Sequence, residues 1–146
     1  MTIEPMRWWH IDELLSIEQD LFGAERWSAG MFWNELANGH HYVVAIEDTA
    51  VVGYAGVALT PSGEAWINNI AVRRDRQHRG IGRALLDHLL ATAHDGGADE
   101  VLLEVASDNV PAQRLYDAYG FEAIGVRRGY YQPSNTDAVV MRRERL

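Results

Sequence analysis

The sequence predicts an α/β protein with one mixed, mostly antiparallel central sheet of six to seven strands and about four helices. Three observations carry this prediction. β-Branched runs joined by short turns fill the first half of the chain, apolar residues recur at helical spacing in separate stretches, and a glycine-containing loop leads from a strand into a helix near the middle. The predicted order of elements is β-α-α-β-β-β-α-β-α-β-β.

The first half of the chain predicts a strand, two helices and a three-stranded antiparallel meander. Strands are predicted over residues 3–6, 41–47, 51–60 and 65–72, and helices over 10–21 and 28–36. Apolar residues of the first helix lie on or near one face. Ser28 is a suitable N-cap for the second helix. Asn38-Gly39 signals the turn into the meander, whose strands are joined by short turns.

The second half predicts alternating helices and strands. Helices are predicted over residues 80–95 and 109–119, and strands over 101–105, 121–127 and 138–142. Gly96-Gly97 is typical of a helix C-terminus. Asn109 is a suitable N-cap, and Pro111 is tolerated in the first turn that follows it. The strand–helix–strand unit around Gly80 is expected to be parallel or splayed.

Length and composition predict an ordinary globular protein. The 146 residues are expected to form a single domain over 1–146, and the absence of cysteine excludes disulfides and thiolate chemistry. The longest apolar-and-glycine run covers only residues 50–59, far short of the roughly 20 residues that span a bilayer. Acidic residues early in the chain exclude a signal peptide there. We therefore expect a cytoplasmic protein without a membrane partner.

Net charge and histidine spacing further restrict the classes of partner that the sequence predicts. The net charge of −8 argues against nucleic-acid binding, which needs a broad basic face. It suits a cationic partner such as a basic peptide. The six histidines show no His-x-x-x-His spacing on a predicted helix, and His40 and His41 would point to opposite faces of a strand. No metal site is therefore predicted.

The most informative segment is the loop Gln77-His78-Arg79-Gly80-Ile81-Gly82, between a predicted strand and a predicted helix. Glycines at such a junction let backbone N–H groups turn toward one point, where the positive end of the helix dipole also lies. Five arginines fall within residues 73–83 against one acid, Asp75. These features predict that the pyrophosphate of a phosphorylated ligand binds at this loop.

Two other interpretations of the loop compete with this one. Gly80-Ile81-Gly82 begins a GxGxxG-like string, and Glu104, about twenty residues on, mimics the acid of a dinucleotide-binding fold. Leu85 occupies the third glycine position, however, antiparallel strands precede the loop, and too few strand–helix repeats follow it. The plainer alternative is an ordinary strand–helix turn with a solvated arginine face.

Two motifs, in this order, resemble those of the GNAT family of N-acetyltransferases. The family's acetyl-CoA signature is similar to Ile70-Ala71-Val72, four residues, then Gln77-x-x-Gly80-x-Gly82. Its second conserved segment is similar to Asn109-x-x-Ala112-x-x-Leu115-Tyr116-x-x-Tyr119-Gly120-Phe121. The resemblance spans the predicted elements from Ile3 to Met141. It implies the GNAT fold, with splayed strands at the acetyl-CoA site, and acetyl-CoA as cosubstrate without a metal.

A narrower set of residues resembles the RimI type within this family, whose members acetylate the N-terminal α-amino group of a small-subunit ribosomal protein. The set comprises Trp27-Ser28, Asn69-Ile70-Ala71-Val72, Leu103-Glu104-Val105, Asn109, Leu115-Tyr116 and Arg127-x-x-Tyr130-Tyr131. The chain departs from this type at Arg128-Gly129, which concerns peptide specificity rather than chemistry. The implied activity is acetyl transfer to a protein N-terminus by direct attack of the amine on the thioester.

The resemblance also implies which residues contact acetyl-CoA. These are Ile70, Ala71, Val72, Gln77, His78, Arg79, Gly80, Ile81, Gly82, Arg83 and Asn109. Main-chain groups of Ile70 and Val72 would hold the pantetheine as an added strand does, and the Val72 N–H would face the oxyanion. Asn109 can be an N-cap and a cofactor contact at once, because its carbonyl and amide are different groups.

Two residues are predicted to move protons. Glu104 follows the apolar run 101–103, so it projects from the end of a buried strand, and the resemblance assigns the general base there. Its structural alternative is a strand-end carboxylate in an ion pair. Tyr116 is the candidate acid that protonates the leaving thiolate. Its alternative is a core aromatic residue with a satisfied hydroxyl.

Trp27, Tyr130 and Tyr131 are the candidate acceptor-binding residues. The tyrosine pair alternates along a strand edge, so one ring is expected to face the peptide and the other the core. The remaining tryptophans are interpreted as core or surface packing: Trp8, Trp9, Trp33 and Trp66. Acids near the first helix either attract a basic peptide or form a solvated face: Glu18, Asp20 and Glu25.

Three functions stay open at this point. The leading one is acetylation of protein N-termini with acetyl-CoA. The second uses the same machinery on a lysine side chain or a small amine. The third is a non-catalytic acyl-CoA-binding domain, against which the presence of both Glu104 and Tyr116 argues.

Overall fold

The helices and strands follow one another in the predicted order. A computed structural model describes residues 1–144, and the last two residues of the predicted domain lie outside the described residues. The strands are β1 (Thr2–Pro5), β2 (His41–Glu47), β3 (Ala50–Leu59), β4 (Glu64–Val72), β5 (Glu100–Ala106), β6 (Glu122–Tyr131) and β7 (Thr136–Glu144). The helices are α1 (Ile11–Phe22), α2 (Ala29–Ala37), α3 (Ile81–Asp95) and α4 (Val110–Ala118).

The last strand pair is longer than predicted. Tyr131 of β6 and Thr136 of β7 pair across the hairpin, beyond an irregularity that follows Arg127. The predicted ends at residues 127 and 138 are therefore wrong. The apolar pattern behind that prediction stops at Arg127, whereas main-chain pairing resumes beyond it, at Tyr131 with Thr136.

The strands form one seven-stranded sheet in the order β1-β2-β3-β4-β5-β7-β6. Neighbouring strands are antiparallel apart from β4 and β5, which run parallel. α3 supplies the crossover that a parallel pair requires. The predicted mixed, mostly antiparallel sheet is confirmed.

Apolar side chains cover both faces of the sheet. On β2, Val43 and Ala45 face one side while Tyr42 and Val44 face the other. α3 and α4 cover the first side through Ile81, Leu85, Leu86, Leu89, Ala93 and Tyr116. α1 and α2 cover the second side through Ile11, Leu14, Ile17 and Phe32. The sheet therefore lies between two helical layers.

The parallel strands β4 and β5 separate after a short paired stretch. Their pairing runs from Glu64 with Glu100 to Ile67 with Leu103, after which each strand continues without the other. At the same point the β3–β4 register shifts and leaves Asn68 outside the ladder. Such a bulge bends a strand. The splay predicted around the strand–helix–strand unit is confirmed, and it opens a cleft at the middle of the sheet.

Gly56 on β3 is predicted to be intolerant of a side chain. It pairs with Tyr42 on β2, and a Cβ at this position would overlap the buried Tyr42 ring. We expect Gly56→Ala to lower the free energy of unfolding by about 1–3 kcal/mol in urea titrations, because overpacking displaces side chains and backbone. Gly30→Ala is the control, since its nearest neighbour would be Ser28 Oγ at 3.8 Å. Equal stability of the two variants would contradict this explanation.

Three of the five tryptophans are exposed. Trp8 and Trp9 lie in a short 3₁₀ turn before α1, and the Trp8 ring stacks on that of Trp33 from α2. The half-buried Trp66 donates from Nε1 to Glu64 at 3.0 Å. These four rings are packing residues, as interpreted. Within residues 1–144, no helix combines the length and apolarity that crossing a bilayer requires.

Candidate active site

A cleft of about 190 Å³ lies between the separated ends of β4 and β5. α1 and the segment after it form one wall, and α4 forms the opposite wall. Its lining residues are Glu18, Phe22, Glu25, Trp27, Ile67, Asn68, Asn69, Ile70, Ala71, Leu103, Glu104, Val105, Ala106, Asn109, Ala112, Tyr116 and Tyr131. Residues from both sequence motifs and from the predicted acceptor set therefore meet at one place.

Glu104 is the first residue of β5 beyond its pairing with β4, and its side chain is 16% exposed. Its Oε1 lies 3.7 Å from Nη2 of Arg127 on β6. Its Oε2 is buried and accepts no hydrogen bond from the described residues. A buried oxygen without a partner is destabilising, so this atom is available to accept a hydrogen bond from a group in the cleft. The ion pair expected as the alternative exists, but it engages the other oxygen.

Tyr116 faces the cleft from α4 and is 5% exposed. Its ring packs edge-on against Phe121, with 5.8 Å between centroids. Within residues 1–144 its hydroxyl has no hydrogen-bond partner, although the alternative interpretation expected one. Burial, and to a smaller extent the nearby Tyr131, raise the pKa of Tyr116. The phenol is therefore protonated at neutral pH and able to donate.

Asn109 caps α4, as predicted. Its Oδ1 accepts from the N–H of Ala112 at 3.3 Å. This bond uses the carbonyl oxygen, so the side-chain amide can still donate to a ligand in the cleft that Asn109 lines.

The loop before α3 presents free backbone donors. Gly80 is the N-cap at a φ of 84°, and His78 also lies in the left-handed region, at 64°. The N–H groups of Ile81, Gly82 and Arg83 belong to the first turn, where an α-helix offers no internal acceptor. Such donors, together with the positive end of the helix dipole, suit an anionic ligand.

The arginine-rich segment is less cationic than its sequence indicates. Three of its arginines form ion pairs: Arg73 with Asp75 at 2.6 Å, Arg74 with Asp20 at 3.0 Å and Arg76 with Glu47 at 3.0 Å. The count of one acid within the segment does not reveal this pairing, because the fold brings two distant acids, Asp20 and Glu47, to these arginines. Arg79 and Arg83 have no carboxylate within 4.0 Å in the part of the chain that the structure describes. The positive charge is therefore concentrated at the helix N-terminus.

The edge of β4 that faces away from β3 extends from the cleft toward the loop before α3. The Arg73 N–H bonds Val52 O of β3 at 2.7 Å. Since main-chain groups alternate in direction along a strand, Ile70 and Val72 direct theirs away from β3 and toward the cleft. Gln77 Nε2 donates to the Val72 carbonyl at 3.0 Å, which leaves the Val72 N–H available. The cleft lining on β4 ends one residue earlier, at Ala71.

The predicted acceptor residues divide into two groups. Trp27 and Tyr131 line the cleft. Burial, followed by the Glu104 charge, raises the pKa of Tyr131 to about 12. Tyr130 is exposed and lies outside the cleft lining, with the Arg127 guanidinium 5.5 Å from its ring centroid. Tyr131 faces the cleft, as expected of one ring, but the expectation that the other ring faces the core is wrong, because Tyr130 is exposed.

The three acids near α1 each have a hydrogen-bonding or ion-pair partner, and Asp20 stays exposed. Asp20 pairs with Arg74 at 3.0 Å. Glu25 accepts from the backbone N–H of Ser134 at 3.2 Å and also from its hydroxyl, and so joins the segment after α1 to the β6–β7 loop. Glu18 is buried and lines the cleft. The sequence contained one signal of this, because Glu18 lies on the apolar stripe of α1.

Polar side chains that the sequence analysis missed support the β4 bulge. Asn68 Nδ2 donates to Glu35 Oε1 at 3.3 Å, and the other Glu35 oxygen contacts His40. Asn69 Oδ1 accepts from the Tyr42 hydroxyl at 2.5 Å. No local pattern reveals these pairs, because their members are far apart in the chain.

A histidine pair connects β2 to α3. Nε2 of His41 lies 2.9 Å from Nε2 of His88, and Thr92 Oγ1 lies 3.4 Å from the former. One ring donates and the other accepts, so the pair cannot carry two charges without losing the bond. Among residues 1–144, no three metal-ligating side chains are grouped closely enough to hold a metal ion.

This pair predicts a loss of stability in mild acid. Burial, and then the neighbouring His88, lower the pKa of His41 below its ordinary 6.5. Below pH 6.5 the unfolded chain therefore binds more protons than the folded chain. The contribution of neutral His41 to folding stability is complete above pH 6.5, and it is lost as the pH falls through the lowered pKa of His41. In urea titrations at about pH 7.5 and about pH 5.5, His41→Gln should lose less stability than the unchanged chain. An identical decline in both, or the same effect from the exposed His94→Gln, would contradict this cause.

The fold and the cleft together define an N-acetyltransferase that uses acetyl-CoA. The sequence profile of the Acetyltransferase (GNAT) family matches residues 3–121, so the chain belongs to the GNAT family. The chain is 44% identical over 133 residues to N-alpha-acetyltransferase RimI of Mycobacterium tuberculosis, an alignment that covers 88% of this chain and 82% of the relative.

Two further comparisons agree with this family. The chain is 30% identical over 142 residues to a Bacillus subtilis protein named putative ribosomal protein bS18 alanine N-acetyltransferase, covering 96% of this chain and 93% of the relative. The crystal structure of the ribosomal-protein-S18-alanine N-acetyltransferase from Escherichia coli superposes with a TM-score of 0.88 at 30% identity, covering 98% and 92% of the two chains. The predicted GNAT fold and RimI-type resemblance are confirmed.

Proposed function

We propose that this chain transfers the acetyl group of acetyl-CoA to the N-terminal α-amino group of a protein, and that the acceptor is a ribosomal protein. The names of its relatives supply the acceptor class. The observation that carries the chemistry is the buried, unpartnered Oε2 of Glu104 in the same cleft as the Tyr116 hydroxyl. A proton acceptor and a proton donor on either side of one cleft suit acyl transfer to an amine.

The proposed reaction forms one C–N bond and breaks one C–S bond. An N-terminal amine has a pKa of about 8 and is largely protonated at neutral pH. Glu104 takes its proton, directly or through water, so that the nitrogen can attack the thioester carbonyl. The Val72 N–H stabilises the charge that develops on the carbonyl oxygen. Tyr116 gives a proton to the departing thiolate and regains one through solvent, since the nitrogen releases its second proton as the amide forms.

The proposed acetyl-CoA contacts extend from the cleft to the N-terminus of α3. The free N–H groups of the first turn, with Arg79 and Arg83, would bind the pyrophosphate. Main-chain groups of Ile70 and Val72 would hold the pantetheine as an added strand does. The Asn109 amide would donate to the cofactor arm. The remaining residues of the proposed cofactor set shape this surface: Ala71, Gln77, His78, Gly80, Ile81 and Gly82.

The proposed acceptor side consists of Trp27, Tyr131 and the more exposed Tyr130. A basic peptide suits the net charge of −8 through long-range attraction. Because the acids near α1 are already paired or buried, this attraction would come from the protein as a whole. The proposal further includes a single domain, a cytoplasmic location, and neither nucleic acid nor membrane as partner.

A peptide panel tests this function. Short synthetic peptides that begin with Ala, Ser, Met or Gly are incubated with the protein and acetyl-CoA, beside copies with blocked N-termini and copies with an internal lysine. Mass spectrometry should show gain of one acetyl group only on free N-termini, together with release of CoA. Acetylation of lysine or of a polyamine would overturn the N-terminal assignment. Acetyl-CoA binding without any transfer would indicate a binding domain.

The charge preference needs a separate measurement. Peptides with the same first residue but basic or acidic continuations are compared at low and high salt. A basic acceptor should show the lower KM, and salt should reduce the difference by screening. A lower KM for the acidic continuation would overturn the basic-acceptor proposal and leave the chemistry unaffected.

A further inference from the structure

Glu18 is a buried carboxylate for which the proposed chemistry has no role. It lies on α1, is 2% exposed, and forms part of the cleft lining. Both of its oxygens are engaged. Oε1 accepts from the hydroxyl of the buried Tyr54, and Oε2 accepts from the backbone N–H of Trp27 at 3.1 Å. Burial of a charged group costs free energy unless the group is fully hydrogen-bonded. The two hydrogen bonds therefore stabilise the Glu18 carboxylate in this position.

The two partners of Glu18 belong to different parts of the molecule. Tyr54 lies on β3, where its ring packs edge-on against Phe32. Trp27 lies in the irregular segment between α1 and α2. Its ring packs on Phe32 at 5.2 Å between centroids and on Tyr42 at 6.4 Å. Glu18 therefore ties the backbone of this segment to the centre of the sheet.

The segment that Glu18 holds forms one wall of the cleft. Phe22, Glu25 and Trp27 contribute to this wall, on the face of the sheet that α1 and α2 cover. The proposed pyrophosphate contacts at the start of α3 and the Asn109 cap belong to the helices of the other face. A displacement of Trp27 would thus narrow or widen the cleft on the side away from the acetyl-CoA contacts.

We propose that Glu18 is a positioning residue that sets the acceptor side of the cleft by fixing the Trp27 backbone. The inference rests on the function proposed above. Glu18 acts through Trp27 and not on the reacting atoms. Its loss should therefore weaken acceptor binding and alter the preference for the first acceptor residue, while acetyl-CoA binding stays unchanged.

Burial and chemistry make glutamine the informative replacement. Burial raises the pKa of Glu18, although its two hydrogen bonds oppose this. Glu18→Gln keeps the shape but offers one acceptor oxygen, and its amide group faces one of the two donors. The variant therefore loses one of the two hydrogen bonds, and its side-chain N–H group points at the donor that made the lost bond. Loss of a buried hydrogen bond to a charged group should raise the acceptor KM about tenfold.

The test compares acceptor and cofactor parameters in the same variants. An Ala-initiated peptide serves as acceptor, and isothermal titration measures the acetyl-CoA Kd. Glu18→Gln should raise the peptide KM and change the ranking among Ala-, Ser-, Met- and Gly-initiated peptides, with kcat and the acetyl-CoA Kd nearly unchanged. Tyr54→Phe removes the opposing hydroxyl, so the double variant should recover part of the lost affinity for peptide.

Glu13→Gln is the matched control. Glu13 lies on the same helix and accepts from the backbone N–H of Val51 at 2.8 Å, but it does not line the cleft. It should leave the peptide KM unchanged. A Glu18→Gln variant with an unchanged peptide KM, or with equal losses in peptide and acetyl-CoA affinity, would overturn the proposal. If the unchanged chain acetylates no peptide, the proposed function fails instead, so the two failures are distinguishable.

Discussion

Glu104→Gln is expected to lower kcat/KM about a hundredfold or more at neutral pH, which is the usual contribution of a positioned base. The substitution keeps the shape of the side chain and removes its capacity to take a proton. The acetyl-CoA Kd should stay unchanged, because Glu104 lies among the cleft residues and not at the α3 N-terminus. Initial rates with an Ala-initiated peptide and isothermal titration with acetyl-CoA measure the two quantities.

The loss of kcat/KM in Glu104→Gln should become smaller as the pH rises. As the pH approaches the pKa of the N-terminal amine, about 8, solvent supplies more of the deprotonated nucleophile. A missing base then matters less, so the ratio of unchanged to variant rates should fall as the pH rises. A ratio independent of pH would point to a role in positioning rather than in proton transfer.

Glu100→Gln is the matched control for this experiment. Glu100 begins the same strand, its carboxylate lies 3.8 Å from Nη1 of Arg142, and it does not line the cleft. Its substitution should leave kcat/KM nearly unchanged. Equal losses in the two variants would show that Glu104→Gln disturbs β5 as a whole, which contradicts the assignment of Glu104 as the base.

Tyr116→Phe is expected to reduce kcat about a hundredfold while acetyl-CoA affinity is retained, since a general acid acts in the chemical step. The substitution removes only the hydroxyl group and keeps the ring contact with Phe121. Burial raises the pKa of Tyr116, so the phenol is protonated at neutral pH. Steady-state kinetics and acetyl-CoA titration separate the two effects.

Tyr119→Phe provides the comparison, at the residue that follows the end of α4. The Tyr119 hydroxyl donates to Asp87 Oδ1 at 2.9 Å and does not line the cleft. Its removal should leave kcat nearly unchanged. Parallel losses of turnover and acetyl-CoA affinity in Tyr116→Phe would sink its assignment as the acid, because they would indicate a damaged cofactor site.

Much of the fold follows from local patterns in the sequence. Ser28 and Asn109 accept the N-cap hydrogen bonds predicted from their residue types, and Gly80 stands at the predicted strand–helix junction, as the N-cap of α3. Each of these features depends on a few adjacent residues, so the printed sequence is sufficient. The full length of the β6–β7 hairpin could not be predicted, because main-chain pairing extends beyond the apolar residues to Tyr131 and Thr136.

The site was less accessible from the sequence than the fold. Contiguous motifs led to Glu104, Tyr116 and Asn109, which do line one cleft. The partners that determine their surroundings are distant in sequence. Arg127 approaches Glu104 from β6, and Glu47 neutralises Arg76 from β2. No periodicity links such pairs, so only the packed chain brings them together.

The sequence by itself determined the order of elements, the family and the position of the glycine-containing loop before α3, because periodicity, capping residues and contiguous motifs are local properties of a chain. Only the tertiary structure decided which charges remain free and where the cleft opens. Burial and pairing depend on contacts across the sheet. The buried Glu18 between Tyr54 and Trp27 shows the difference, since the sequence alone left it in an exposed acidic run.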